Sequence, residues 1–121
     1  GIYPERVLDP VNEEYLRKYF LRGKGESAGY YKVKDLLKEM ITFRQLNFIS
    51  DNYGISAQFD VVFCRNVIIY FDAETKSYVL NKINSHVKQG GYFIIGHSET
   101  MFDMVKGLTY LNNTIYRKDA N

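Results

Sequence analysis

Two short apolar runs separated by a helical stretch constrain this chain more than any other feature. Phe59-Asp60-Val61-Val62-Phe63-Cys64 is apolar on both faces, the pattern of a strand inside a parallel sheet, and it stops at Arg65-Asn66. Ala73 to Val87 then sets Tyr78, Val79, Ile83 and Val87 on one helical face, with Gly90-Gly91 as its glycine stop. Tyr92-Phe93-Ile94-Ile95 is a second buried strand, halting at Gly96-His97-Ser98-Glu99. The intervening length suffices for a right-handed crossover, so the strands are predicted to be parallel neighbours in an α/β fold.

The flanks are less regular. Val11, Tyr15, Leu16, Tyr19 and Phe20 recur at helical spacing behind Asn12, Glu13 and Glu14, which supply a cap and negative charge for a short helix. Leu21 to Gly29 is a polar, glycine-rich turn between Tyr19-Phe20-Leu21 and Tyr30-Tyr31-Lys32-Val33, predicting a hairpin. Gly1 to Leu8 offers no element of its own. Lys34 to Met40 fits two helical turns, and Ile41 to Asn47 alternates as a half-buried strand does. Leu108 to Arg117 reads as a strand pair, or as one strand broken at Asn112-Asn113.

Composition excludes several function classes. A chain of 121 residues, 45% hydrophobic and 25% charged, has ordinary globular usage and supports one core. A formal charge of +2 is too balanced for the basic stripe of non-specific nucleic-acid binding. One Cys excludes an intrachain disulfide, two distant His make no recognisable metal-ligand set, and a reducing, cytoplasmic compartment is expected. No apolar run nears the roughly 20 residues of a membrane helix, and the start lacks a leader pattern, so neither membrane insertion nor export is expected.

In open α/β sheets ligands bind beyond the carboxyl ends of parallel strands. Polar residues fall there three times: Asn47 after Ile41 to Leu46, Arg65-Asn66 after Cys64, and His97-Ser98-Glu99 after Ile95. Polar strand ends also occur without any site. His97 and Glu99 could serve as an acid/base pair or simply hydrogen-bond the loop, and Cys64 fits buried packing better than nucleophilic chemistry.

Phe59 to Asp72, reading FDVVFCRNVIIYFD, resembles the signature of the chemotaxis receptor-glutamate methyltransferases of the CheR type. Gly91-Tyr92-Phe93-Ile94-Ile95-Gly96-His97-Ser98-Glu99 resembles the family's next signature, and Gly1-Ile2-Tyr3-Pro4-Glu5-Arg6-Val7 and Tyr19-Phe20-Leu21-Arg22-Gly23 also match in order and spacing. The resemblance spans the whole chain. It implies a partial class I methyltransferase sheet, Rossmann-like, with a small antiparallel β-subdomain over residues 19–47. Family members are about twice as long, and the resemblance implies that residues 1–121 are the carboxyl-terminal part of the methyltransferase domain. The helical amino-terminal domain and the first two sheet strands would then be absent, with Ile41 to Asn47 as strand 3 and Phe59 to Cys64 as strand 4.

The resemblance also implies roles. S-adenosylmethionine would be the cofactor and S-adenosylhomocysteine the product, with Asn47 and Phe48 against the adenine. The family usually has an aliphatic residue where Phe48 stands here. Arg65 and Asn66 would border the cofactor, and Tyr70 would face the methylsulfonium and the incoming carboxylate. The implied substrate is a glutamate side chain of a methyl-accepting chemotaxis receptor, whose carboxyl-terminal peptide the β-subdomain binds in some members by strand addition. A non-catalytic receptor- or scaffold-binding module derived from the enzyme is the alternative. With strands 1 and 2 missing, strand 4 would be an open edge able to pair between copies in a homo-oligomer.

Overall fold

The computed structural model describes residues 1–97, 99, 101 and 104–120. The chain divides into two compact units, Gly1–Gln45 and Leu46–Asn121.

The first unit contains β1 (Ile2–Pro4), α1 (Glu13–Tyr19), β2 (Phe20–Arg22), β3 (Tyr30–Val33) and α2 (Asp35–Lys38). Asn12 caps α1, its Oδ1 accepting the Glu14 N–H at 2.7 Å, with acidic residues in the first turn and Arg17 and Lys18 in the last. The expected hairpin is present: β2 pairs antiparallel with β3, Leu21 opposite Lys32. The expectation that Gly1 to Leu8 is featureless is corrected. Ile2–Pro4 pairs with the other side of β3, Tyr3 opposite Tyr31, giving a sheet of order β1-β3-β2, and Glu5–Val7 makes a 3-10 turn. Three residues carry too little pattern to announce a strand, and β1 exists because β3 offers it an edge.

The second unit holds β4 (Phe59–Cys64), α3 (Ala73–Ser85), β5 (Val87–Ile95), β6 (Leu108–Asn112) and β7 (Ile115–Lys118), in a sheet of order β4-β5-β7-β6. β4 and β5 are parallel, with Val61 opposite Tyr92 and Cys64 opposite Ile95, as the strand-helix-strand pattern predicts. β7 runs antiparallel to both β5 and β6, so the residues around Asn112-Asn113 turn a hairpin. Val79, Leu80 and Ile83 of α3 pack with Ile68, Val87, Phe93 and Ile95 in one buried cluster. Each such fully buried apolar side chain contributes about 1.5–3 kcal/mol relative to exposure. Tyr78, expected on the buried face, is exposed.

Two further expectations change. α3 ends at Ser85, and Gly90, at φ 74°, lies inside β5 instead of stopping the helix. Between Phe59, opposite Val87, and Val61, opposite Tyr92, the register shifts, so residues 88–91 bulge from the ladder and Gly90 takes the left-handed conformation there. The helix end is closed by the His86 N–H, which bonds the Ile83 carbonyl at 2.9 Å, and the Lys118 ammonium from β7 donates to the carbonyls of Asn84 and Val87, each at 2.8 Å. Lys88 bonds Asp60 at 2.8 Å, which holds that carboxyl below its usual range.

Ile41 to Asn47 forms no strand, contrary to its alternation. A strand needs a partner ladder, and without one the polar and apolar alternation has no sheet to be sorted by, so Ile41 and Phe43 stay exposed. β4 bonds β5 alone and is therefore an edge among the described residues, with Phe59, Val61 and Phe63 exposed. No described helix is long and apolar enough to cross a membrane.

Candidate functional site

The parallel pair places the carboxyl ends of β4 and β5 side by side, Cys64 against Ile95, so the segments leaving them meet. Arg65 and Asn66 leave β4. Gly96 and His97 leave β5, and Ser98 lies outside the described residues. The Arg65 guanidinium donates to His97 Nδ1 at 2.9 Å, which requires that ring nitrogen to be unprotonated. Asn66 adopts φ 59°, a left-handed conformation that turns the chain sharply out of the strand.

Glu99 occupies the space between the two segments. Its carboxylate accepts the N–H groups of Gly96 at 2.6 Å, Asn66 at 3.2 Å and Ile68 at 3.1 Å. Of the two roles open to Glu99 from its sequence position, the structure gives it the loop-bonding one.

Tyr70 closes the 3-10 turn Ile68–Tyr70, with Ile68 buried beneath it and its own side chain 81% exposed. After it, Asp72 caps α3, its Oδ1 accepting the Thr75 N–H at 2.8 Å, and these bonds hold its carboxyl below the usual range. Tyr70 thus sits on a short loop fixed at both ends.

Along β4 lies an apolar cavity of about 300 Å³, lined by Leu46, Phe48, Tyr53, Val62, Cys64 and Arg65 among others. That volume is at the small end for ligand sites. Of the residues expected in a cofactor site, Phe48 and Arg65 line it, whereas Asn47, Asn66 and Tyr70 do not. Asn47 stands beside Phe48, and its side-chain oxygen accepts the Ile49 N–H at 3.2 Å, turning the chain. It follows no strand.

Two residues that sequence reasoning passed over hold the Phe48 segment. The Tyr53 hydroxyl donates to the Phe48 carbonyl at 2.7 Å, and the Lys82 ammonium donates to the Ser50 carbonyl while lying over the Tyr53 and Tyr78 rings. Burial first, then Tyr78 and Cys64, push the Tyr53 hydroxyl pKa up. Burial, with a smaller part from the Glu99 charge, pushes the Cys64 thiol up to about 11, so at neutral pH it is a packing group and not a nucleophile. No local signal in the sequence marks Tyr53 or Lys82, because their partners lie on other segments.

Residues 1–117 match the family described as the CheR methyltransferase, SAM binding domain. The chain is 39% identical over 120 residues to the chemotaxis protein methyltransferase of Borreliella burgdorferi, which takes in 98% of this chain and 41% of that protein. It is 34% identical over 116 residues to the chemotaxis protein methyltransferase of Escherichia coli, covering 96% of this chain and 41% of the relative. Chemotaxis protein methyltransferase 2 of Pseudomonas aeruginosa is 33% identical over 116 residues, with the same coverage of 96% and 41%. The chain thus spans about two fifths of the length of these curated relatives. An α/β sheet whose parallel strands end side by side in polar segments fits a methyltransferase fold, and the chain belongs to the CheR methyltransferase family, whose SAM-binding domain identifies S-adenosylmethionine as the cofactor.

Proposed function

We propose that the protein of which these residues are part transfers a methyl group to glutamate side chains of methyl-accepting chemotaxis receptors in the cytoplasm. The observation that carries the reading is the placement of Phe48 and Arg65 on one cavity along β4, in a chain of this family. The cavity suits the cofactor's chemistry, because its apolar wall can receive a flat base while Arg65 supplies a cation at its border. In this reading Phe48 packs on the adenine, Asn47 hydrogen-bonds it, and Arg65 and Asn66 border the rest of the cofactor.

S-adenosylmethionine supplies an electrophilic methyl on a cationic sulfur. Tyr70, exposed on its fixed loop, is assigned to face that centre, where its ring or hydroxyl stabilises the cation by about 0.5–2 kcal/mol. A glutamate carboxylate is ionised at neutral pH, so the residues need to orient it and not to deprotonate it. Alignment of two reactants is worth roughly 7–11 kcal/mol, enough to make it the main task of the site.

Residues 1–121 are proposed to be the carboxyl-terminal part of the methyltransferase domain, with residues 19–47 in the β-subdomain. The β4 edge then pairs with a further strand, supplied by polypeptide outside these residues or by a second copy. β2 bonds β3 on one side and is an edge on the other among the described residues, which supports capture of a receptor's carboxyl-terminal peptide by strand addition.

The test is calorimetric titration of S-adenosylhomocysteine together with receptor methylation kinetics, on the complete protein. Asn47→Ala should weaken binding with little effect on the saturated rate, and Tyr70→Phe should lower the rate more than the affinity. Unchanged affinity in the first variant removes Asn47 from the site. Equal losses of rate and affinity in the second remove Tyr70 from the reacting centre.

A further inference from the structure

We infer that Glu99 is the positioning residue of this site, fixing the backbone of residues 65–70 so that Arg65, Asn66 and Tyr70 are held in one arrangement. The inference rests on the functional reading above and adds to it a residue that touches neither cofactor nor substrate. Glu99 is 9% exposed, and both of its carboxylate oxygens point at main-chain N–H groups. Oε2 receives Gly96 and Asn66, and Oε1 receives Ile68, so one side chain ties the end of β5 to two points of the loop leaving β4.

The surroundings are shaped to this carboxylate. A Cβ on Gly96 would come within 2.6 Å of Glu99 Oε2 and 2.8 Å of Asn66 Oδ1, so a side chain there would displace these groups from their present positions. Asn66 at φ 59° turns its N–H toward Glu99, and the Ile68 side chain, two residues on, is completely buried. The consequence runs to both ends of the loop. Arg65 is the residue before the first pinned N–H, and Tyr70 is two residues past the second. The 3-10 turn bonds itself, Tyr70 N–H to the Val67 carbonyl and Phe71 N–H to the Ile68 carbonyl, but Arg65 and Asn66 share no such turn bond, and without Glu99 the turn that carries Tyr70 would loosen against the end of β5, with loss of the alignment the transfer needs.

The chemistry of the three bonds makes the conservative change informative. In Glu99→Gln one oxygen becomes an NH2 donor. Because N–H groups face both oxygens, either orientation of the amide confronts at least one N–H with a donor. Glu99→Asp keeps two acceptors but is one methylene shorter, so it can satisfy part of the set.

The experiment takes the complete protein with Glu99→Gln, Glu99→Asp, Tyr70→Phe and the Tyr70→Phe/Glu99→Gln double variant. S-adenosylhomocysteine affinity, saturated methylation rate, thermal midpoint and amide exchange at Gly96, Asn66 and Ile68 are measured on each. Glu99→Gln should speed exchange at the three amides and lower both affinity and rate by about tenfold, the range expected for one buried hydrogen bond left unmade. Glu99→Asp should recover part of each loss. Tyr70→Phe should leave the three amides protected, and the double variant should lose less rate than the product of the single losses, because a Tyr70 hydroxyl no longer aimed has less to lose. A folded Glu99→Gln protein with a lowered midpoint but wild-type rate and affinity would overturn the inference, as would Glu99→Asp with full protection and no activity. If the unmodified protein does not bind S-adenosylhomocysteine while its three amides are protected, the cofactor reading itself fails and the pin is only architectural.

Discussion

In the Leu46–Asn121 unit, Ile68, Val79, Leu80, Val87, Phe93 and Ile95 are sealed from solvent, whereas in the Gly1–Gln45 unit Leu8 is the one buried hydrophobic side chain among the described residues. The strands of the smaller unit leave Ile2, Leu21 and Tyr30 exposed and rest on ladders of three residue pairs each. Two sheets in one chain therefore stand by different means. The four-stranded one is held by apolar burial under α3, and the three-stranded one by backbone bonding, an N-cap and exposed polar contacts such as Glu5 with Arg22 and Tyr31. Exposed pairs of that kind contribute little, so the smaller unit is the one expected to open first. The residues assigned to chemistry lie in the unit with the core, while the β2 edge assigned to peptide capture lies in the unit without one.

The largest test of this contrast is Phe93→Ala. Removing a completely buried ring should cost about 3–5 kcal/mol and lower the denaturant midpoint of the larger unit. A loss under about 1 kcal/mol would mean that the core is not what holds the sheet.

Cys64 reports on the same core by reactivity. With its thiol pKa raised from 9.0 to about 11, the thiolate fraction at neutral pH is about a hundredfold smaller than for an ordinary thiol. Alkylation should be correspondingly slow in native protein and fast in denaturant. Equal rates in both would show that the β4 end of the core is open.

Leu8→Ala sharpens the comparison from the other side, with an expected loss of about 2 kcal/mol confined to the smaller unit. Amide exchange should quicken in β1, β2 and β3 and stay unchanged in β5 and β7. Loss of protection in both sheets together would abolish the distinction between the units.

The smallest expected effect is on α3. Because the folded-state pKa of Asp72 is depressed, its stabilisation of the helix is present above the unfolded value of about 3.9 and is lost as pH falls through the folded one. Helix fraying at the Ala73 end should grow below about pH 4. Asp72→Asn, which keeps an acceptor but does not titrate, should flatten that dependence.

What was legible in the sequence follows from where each signal resides. β4, α3 and the parallel pairing were readable because Phe59 to Cys64 carries its apolar run and Ala73 to Ser85 its apolar helical face locally, although the exposure of Phe59, Val61 and Phe63 on the edge was not. Asn12 was readable as a cap for the same reason. β1 was not, since Ile2–Pro4 becomes a strand only against Tyr30 to Lys32. Ile41 to Asn47 misled because alternation describes a face that must still find a sheet. At the site, the motif residues Arg65, Asn66 and Tyr70 were singled out through family resemblance, and the meeting of Arg65 with His97 comes from strand pairing 32 positions apart. Tyr53 and Lys82 escaped notice because a tyrosine after a turn and a lysine on a helix carry no mark of the carbonyls they bind.

Lys118 gives the larger unit a particular order of assembly. The crossover from β4 through α3 to β5 can form from contiguous chain, with the His86 N–H capping Ile83 and the Ser85 hydroxyl capping Lys82 locally, yet the Asn84 and Val87 carbonyls gain their ammonium from 34 and 31 positions further on. During synthesis those two carbonyls therefore lack the ammonium until β7 has emerged and docked, a long-range contact that forms slowly. β7 acts as a latch on a unit that is otherwise locally encoded, so Lys118→Met, which keeps the strand and removes the ammonium, should slow completion of the fold while leaving the β5-β7-β6 ladder in place.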